Sequence, residues 1–149
     1  MKARKSVRLK GLMVLVLALT VWATPSASWS KDAYKIGGIL AITGPSSFLG
    51  DPGKKSLEMA VDDINSRGGI DGHPLEAVIY DTEGDPTKTV LATNKLISND
   101  KVLAIVGPSL TPTTLAIVPL AEKEKIPLIS CAAGIQITEP IKPWVFKTV

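Results

Sequence analysis

Continuous apolar runs alternate with helix-spaced apolar positions along the chain from residue 35 to 149. Residues 35–42, "KIGGILAI", are apolar after Lys35 and read as a buried strand. Leu57, Ala60, Val61 and Ile64 then recur at the spacing of one helical face, with Glu58, Asp62 and Asp63 outside it, which predicts a helix over about 53–66. Gly68 and Gly69 end that helix, because glycine tolerates the left-handed conformation of a helix cap. Residues 75–81, "LEAVIYD", read as a second strand. Asp85-Pro86 is a helix start, an N-cap carboxylate followed by a proline whose missing N–H is no loss in a first turn. That helix reaches about Asn99, with Val90, Leu96 and Ile97 inward. A third strand follows at 102–107, a third helix at 113–124, a fourth strand at 126–130 and a fifth at 144–149. Pro119 falls inside the third helical pattern, where it removes a backbone bond and predicts a kink.

Strand, helix and strand at this cadence indicate right-handed βαβ units on a parallel sheet. The strands are apolar throughout, as strands covered on both faces must be. The fold class expected is α/β, a doubly wound parallel sheet. Such sheets bind ligands just beyond the carboxyl ends of their strands. Four loops therefore matter: 43–52, 82–85, 107–112 and 131–138.

The first thirty residues follow a different plan. Lys2, Arg4, Lys5, Arg8 and Lys10 precede an uncharged apolar run over 11–23, and "TPSASWS" follows, with small residues such as Ser26 and Ser28 at signal-peptidase spacing. Thirteen helical residues at about 1.5 Å each reach roughly 20 Å, short of a hydrocarbon core of about 30 Å, so a cleaved signal is favoured over an anchor. The expected division is a signal peptide at 1–28 and a ligand-binding lobe at 29–149. Its removal leaves twelve basic against fourteen acidic residues, a net charge of −2 in place of +3. No basic patch remains, and nucleic acid drops out as a partner. Cys131 is alone, so the chain has no internal disulfide, and no cysteine follows the apolar run where lipid acylation would require one. The expected location is the periplasm.

The loop chemistry excludes more than it includes. "TGPSSFLGDPG" (43–53) has neither the G-x-x-x-x-G-K-[ST] nor the G-x-G-x-x-G spacing of a phosphate cradle, and Phe48 and Leu49 read instead as an apolar wall. A calcium loop opening at Asp81 would need Gly at its sixth position and Glu at its twelfth, where Pro86 and Ala92 stand. Asp81, Glu83 and Asp85 are thus expected to cap and solvate. His73, in "GHP", belongs to a solvated turn at the amino edge of the sheet, remote from Cys131, and no G-x-S-x-G elbow exists. No catalytic residue, metal or cofactor is expected. "VGPSLTPTT" (106–114) is the exception, delivering a strand to the amino end of a helix, where N–H groups lack intrahelical partners. Those donors and the helix dipole favour an anion. Thr111 or Thr113 could merely cap the helix; the reading taken is a carboxylate site shared by Ser109, Thr111 and nearby N–H groups. The absence of Arg and Lys from this loop favours one small carboxylate over a polyphosphate.

The segment from "KIGGILAITGPSSFLGDPG" through "YDTEGDPTKTV", with "LAIVGPSLTPTT", "PLISCAAG" and "WVFKT", resembles the exported substrate-binding proteins of branched-chain amino acid ABC transporters, over residues 34–149. The resemblance implies a type 1 periplasmic binding fold of two lobes closing on a small ligand, with sheet order 2-1-3-4-5 in the first lobe, and delivery of that ligand to a membrane permease. It implies that Ser109 and Thr111 meet a carboxylate, with Leu110 and Pro112 beside them. Ala132, Ala133 and Gly134 match the turn that meets the amino group, and Phe48 and Leu49 match the side-chain pocket. Gly134 stands where amino-acid binders usually carry a hydroxyl, which opens an alternative ligand, an aromatic or short-chain acid. Gly84 and Leu110 match positions where some members carry a disulfide. The family runs to more than twice this length, so the chain is expected to be the N-terminal part, an incomplete first lobe without its second. A ligand-sensing receptor ectodomain of the same fold is the alternative to a transport component, and an exported α/β enzyme is disfavoured by the missing nucleophile–base pair.

Overall fold

Two strands of seven residues, Tyr34–Leu40 (β1) and Leu75–Asp81 (β2), pair in parallel along their whole length, from Tyr34↔Leu75 to Leu40↔Asp81. These belong to the computed structural model, which describes residues 31–149; the segment expected to be a signal peptide lies outside them. Ile105–Val106 (β3), Leu128–Ser130 (β4) and Val145–Lys147 (β5) complete a parallel sheet in the order β2-β1-β3-β4-β5. The helices are Ser47–Ser66 (α1), Pro86–Lys95 (α2) and Thr111–Glu124 (α3). The expected α/β class and strand order are both found.

Adjacent glycines in β1 explain how helices reach both faces of the sheet. A Cβ on Gly37 would lie 2.7 Å from Leu96 Cδ1, and one on Gly38 would lie 2.9 Å from Leu57 Cδ2. Bare backbone at these two positions lets the Leu96 turn press on one face and α1 on the other. The main core lies on the Gly37 side, where Ile39, Leu96, Ile105, Ile117 and Leu128 are all fully buried. On the Gly38 side the register carries a row from Gly38 to Val106, Ile129 and Phe146. Val106 and Ile129 are half-buried and Phe146 is exposed, so among the described residues that side is covered only over β2 and β1.

Several boundaries differ from expectation. The helix expected over 53–66 begins at Ser47, so Phe48 and Leu49 stand on its first turn and not in a loop. Gly50 and Pro52 read as loop residues, yet Gly50 serves a close approach: its Cβ would lie 2.0 Å from the Ala41 carbonyl oxygen. Ala60, expected inward, is exposed, and Val61 is the buried residue of that face. α2 ends at Lys95 and passes into a π turn, Leu96–Asp100. β3 is shorter than expected, although Leu103 N–H still donates to Lys35 and Gly37 N–H to Ala104. Pro119 sits within α3 without dividing it. Both Pro119 and Leu115, whose carbonyl loses its partner, are exposed, so water can take the missing bond.

Candidate functional site

All five strands point their carboxyl ends the same way, so the loops after them meet along one edge. Gly107 makes the turn out of β3: it has φ +100°, and a Cβ there would lie 2.0 Å from the Ile39 carbonyl oxygen. Ser109, two residues on, is buried, and its hydroxyl accepts the Ala41 N–H at 3.5 Å, tying this turn to the end of β1. Leu110 is the extended N-cap of α3 and offers no side-chain cap. The Thr113 and Thr114 hydroxyls donate to the Leu110 carbonyl at 2.8 and 2.9 Å. Thr114 also meets Ser130 Oγ at 2.9 Å, and Ser130 Oγ accepts the Ala132 N–H at 3.1 Å. These buried hydroxyls thus satisfy one another between α3 and β4. N-capping by Thr111 or Thr113 is not what the fold uses.

Thr111 is placed differently. It is half-buried in the first turn of α3, and its Oγ1 accepts the Gly134 N–H at 3.1 Å. A hydroxyl that accepts keeps its own proton to donate. Among the described residues, the N–H groups of Leu110, Thr111 and Thr113 meet no acceptor. The structure therefore gathers one hydroxyl donor and three amide donors at one helix start. Gly134 is bound to this arrangement sterically: its Cβ would lie 2.3 Å from Thr111 Cγ2 and 2.8 Å from Thr111 Oγ1. A side chain at this position would have to displace Thr111.

The other sequence candidates divide. Phe48 (72 % exposed) and Leu49 (44 % exposed) face solvent at the start of α1. Leu110 packs beside Gly84, whose Cβ would lie 3.1 Å from Leu110 Cδ1, so the pair matched to a disulfide does lie side by side. Ala133 is exposed, whereas Ala132 is 3 % exposed and belongs to the core, so its methyl does not line the edge.

Two features went unread in the sequence. Asp81 does more than solvate: Oδ1 accepts N–H groups from Ile42 (2.9 Å), Thr43 (3.3 Å) and Glu83 (2.9 Å), and Oδ2 accepts the Thr43 hydroxyl at 2.5 Å. Desolvation pushes its pKa up, but the bonds from the Thr43 hydroxyl and the three N–H groups outweigh it and hold the carboxyl below its ordinary value. Asp85 caps α2 through the Lys88 N–H at 2.7 Å, as expected, and Glu83 pairs with Lys88 Nζ at 2.5 Å. The second feature is Lys147 at the end of β5, whose Nζ donates to the Ala133 carbonyl at 3.3 Å. The signal for it was available, since a fifth parallel strand must end at the same edge.

The amino edge carries a hollow of about 410 Å³, lined by residues that include Tyr34, Lys35, Asn99, Asp100 and Lys101. Its walls are the start of β1 and the π turn that precedes β3, whereas ligands of open parallel sheets sit at strand ends, so the carboxyl edge remains the candidate although it is an open wall. His73 also lies at the amino edge, in a turn as expected, where it is half-buried. Its ring stacks on Tyr34 with centroids 4.4 Å apart, and Nδ1 lies 2.8 Å from the Asp32 carbonyl oxygen.

The parallel α/β sheet in the order β2-β1-β3-β4-β5 matches part of a periplasmic binding protein. The chain belongs to the periplasmic binding protein family, whose model matches residues 33–149. This is a family of binding proteins and not of enzymes. The chain is 32% identical over 136 residues, 91% of its length, to the leucine-, isoleucine-, valine-, threonine- and alanine-binding protein of Pseudomonas aeruginosa. It is similar in structure to a branched-chain amino acid transporter substrate binding protein from Streptococcus pneumoniae in complex with isoleucine (34% identity, TM-score 0.74, 77% of this chain and 33% of that one). A solute binding protein of an ABC transporter from Rhodopseudomonas palustris, in complex with 3,4-dihydroxybenzoic acid, matches at 32% identity and TM-score 0.66, over 78% of this chain and 32% of that one. The chain spans 36% of the Pseudomonas relative.

Proposed function

We propose that the protein is the extracytoplasmic solute-binding component of an ABC importer, taking a small carboxylate of the size of a branched-chain amino acid and handing it to a membrane permease. The observation that carries this reading is the donor set at the start of α3: the Thr111 hydroxyl, whose proton is free, beside the unpaired N–H groups of Leu110, Thr111 and Thr113. A carboxylate accepts several such bonds at once, and the helix dipole adds to them. Ser109 and Leu110 shape this site, Ala133 and Gly134 form its second turn with Ala132 as their buried support, and Phe48 and Leu49 meet the ligand's apolar part. Residues 29–149 are read as the N-terminal lobe of a two-lobed protein, and residues 1–28 as the signal that brings it to the periplasm.

A second reading, an aromatic or short-chain acid in place of an amino acid, is favoured by Gly134, where no hydroxyl fits. One relative is a binder of leucine, isoleucine, valine, threonine and alanine by name, and a structural neighbour holds 3,4-dihydroxybenzoic acid, so both ligand classes occur among similar proteins. Isothermal titration of the intact protein against leucine, isoleucine, a short-chain acid and 3,4-dihydroxybenzoate tests the proposal. Saturable binding of a carboxylate, weakened by Thr111→Ala, is the expected result. Binding of none of them would refute it.

A further inference from the structure

We infer that Ser130 is a positioning residue for the donor set at the start of α3: through Thr114 it holds the turn after β4 where the Gly134 N–H meets Thr111. The inference rests on the carboxylate reading above and deepens it by naming what fixes the geometry of those donors.

Ser130 ends β4 two residues after the fully buried Leu128, and like Thr114 it is fully buried itself. A hydroxyl in such a place is destabilising unless its proton and its oxygen both find partners. The proton inventory fixes the direction of each bond. Thr114 has one hydroxyl proton, and it goes to the Leu110 carbonyl at 2.9 Å, which can only accept. In the 2.9 Å contact between Thr114 Oγ1 and Ser130 Oγ, Ser130 is therefore the donor. Ser130 Oγ in turn accepts the Ala132 N–H at 3.1 Å. The bonds run one way, from the Ala132 amide through Ser130 and Thr114 to Leu110, the N-cap of α3, and each polarises the next. The turn then leads to the site. Cys131 N–H makes a backbone bond to the Pro108 carbonyl at 3.1 Å, but among the described residues neither Ala132 N–H nor Gly134 N–H has a backbone acceptor. A hydroxyl takes each of them, Ser130 the first and Thr111 the second. Thr111 and Thr114 lie about one helical turn apart on α3, so the turn after β4 is pinned to that helix at two points. The outer pin leaves the Thr111 proton for a carboxylate. The inner pin is fully buried, out of reach of any ligand, and acts only by setting where the outer one falls.

The test is a titration of the intact protein with leucine, isoleucine, 4-methylpentanoate and 3,4-dihydroxybenzoate, repeated on variants with whichever of the four binds most tightly. Ser130→Ala removes the inner pin. Thr114→Val removes its oxygen and keeps the shape, whereas Thr114→Ser keeps the oxygen. Ser130→Ala and Thr114→Val are each expected to weaken binding about tenfold, and Thr114→Ser to stay within about twofold of wild type. Added to Thr111→Ala, Ser130→Ala is expected to cost less than about twofold more, because the contact it serves is already gone. Circular dichroism checks that each variant folds, and Thr114→Val replaces Ser130→Ala in the double variant if the latter does not. Equal losses in Thr114→Val and Thr114→Ser, or a full tenfold loss added to Thr111→Ala, would reduce the pair to a packing element and overturn the inference. When Thr111→Ala weakens binding and neither Ser130→Ala nor Thr114→Val does, only the role of Ser130 fails. When none of the four acids binds, or Thr111→Ala changes nothing, the carboxylate reading fails and takes this inference with it.

Discussion

The two edges of the sheet use polar groups in opposite ways. At the amino edge they close on the chain itself. The Asn65 amide both donates to the Leu75 carbonyl (2.8 Å) and accepts the Leu75 N–H (2.7 Å), and His73 lies between Tyr34 and the Asp32 carbonyl. At the carboxyl edge donors are left over: the Thr111 hydroxyl proton and three amides at the start of α3. Saturated hydrogen bonding fixes a turn, whereas a surplus of one kind of group selects what binds. The donors left over at the start of α3 are the groups that the proposed carboxylate would meet.

The largest effect should come from filling the space that joins the two turns of the carboxyl edge. Gly134→Thr would drive its Cβ into Thr111 Cγ2, and overpacking of this kind costs about 1–3 kcal/mol. Displacing Thr111 also dismantles the donor set, so ligand binding should be lost in titrations while the denaturation midpoint falls. Retention of both would mean that the two turns are not in contact.

A smaller, sharper contrast sets Thr111→Ala against His73→Ala. The first removes a charge-assisted bond of about 1.5–3 kcal/mol, a tenfold to hundredfold loss of affinity. The second removes a stacked ring and a hydrogen bond that hold the amino edge, which should lower stability by about 1 kcal/mol and leave affinity within about twofold. Equal effects on affinity would place the pocket at the wrong edge.

Much of this arrangement could be read from the chain before folding. The strands announced themselves as apolar runs, and the Asp85-Pro86 start of α2 was found where local chemistry put it. The strand order came from resemblance, since periodicity carries no information on which strands are neighbours. The misses share a cause. Asp81 with Ile42, Thr111 with Gly134 and Ala41 with Ser109 are partners far apart in sequence, and no window of residues contains both. Gly50 and Pro52 misled for the same reason, because the use of Gly50 is its approach to Ala41 in another element. Ala132 shows the limit of matching by position: it lies in the turn after β4, but its methyl belongs to the core.

The smallest expected effect concerns the Asp81 clasp, which belongs to the carboxyl edge but is saturated in the manner of the amino edge. Its folded pKa lies below its unfolded value, so the native state favours the ionised form. The stability it contributes is therefore complete above the unfolded carboxylate value, about pH 4, and is lost as pH falls through the lower folded one. Asp81 is exposed, and solvent screening reduces the contribution to roughly 0.5 kcal/mol. Urea midpoints of wild type and Asp81→Asn should differ by a constant amount from pH 7 to about pH 5 and converge below about pH 4. Because the clasp fixes the loop leading to Phe48 and Leu49, the variant should also bind ligand slightly more weakly at neutral pH. A midpoint difference that persists undiminished to about pH 3 would mean that the carboxylate charge is not what holds the first two βα junctions together.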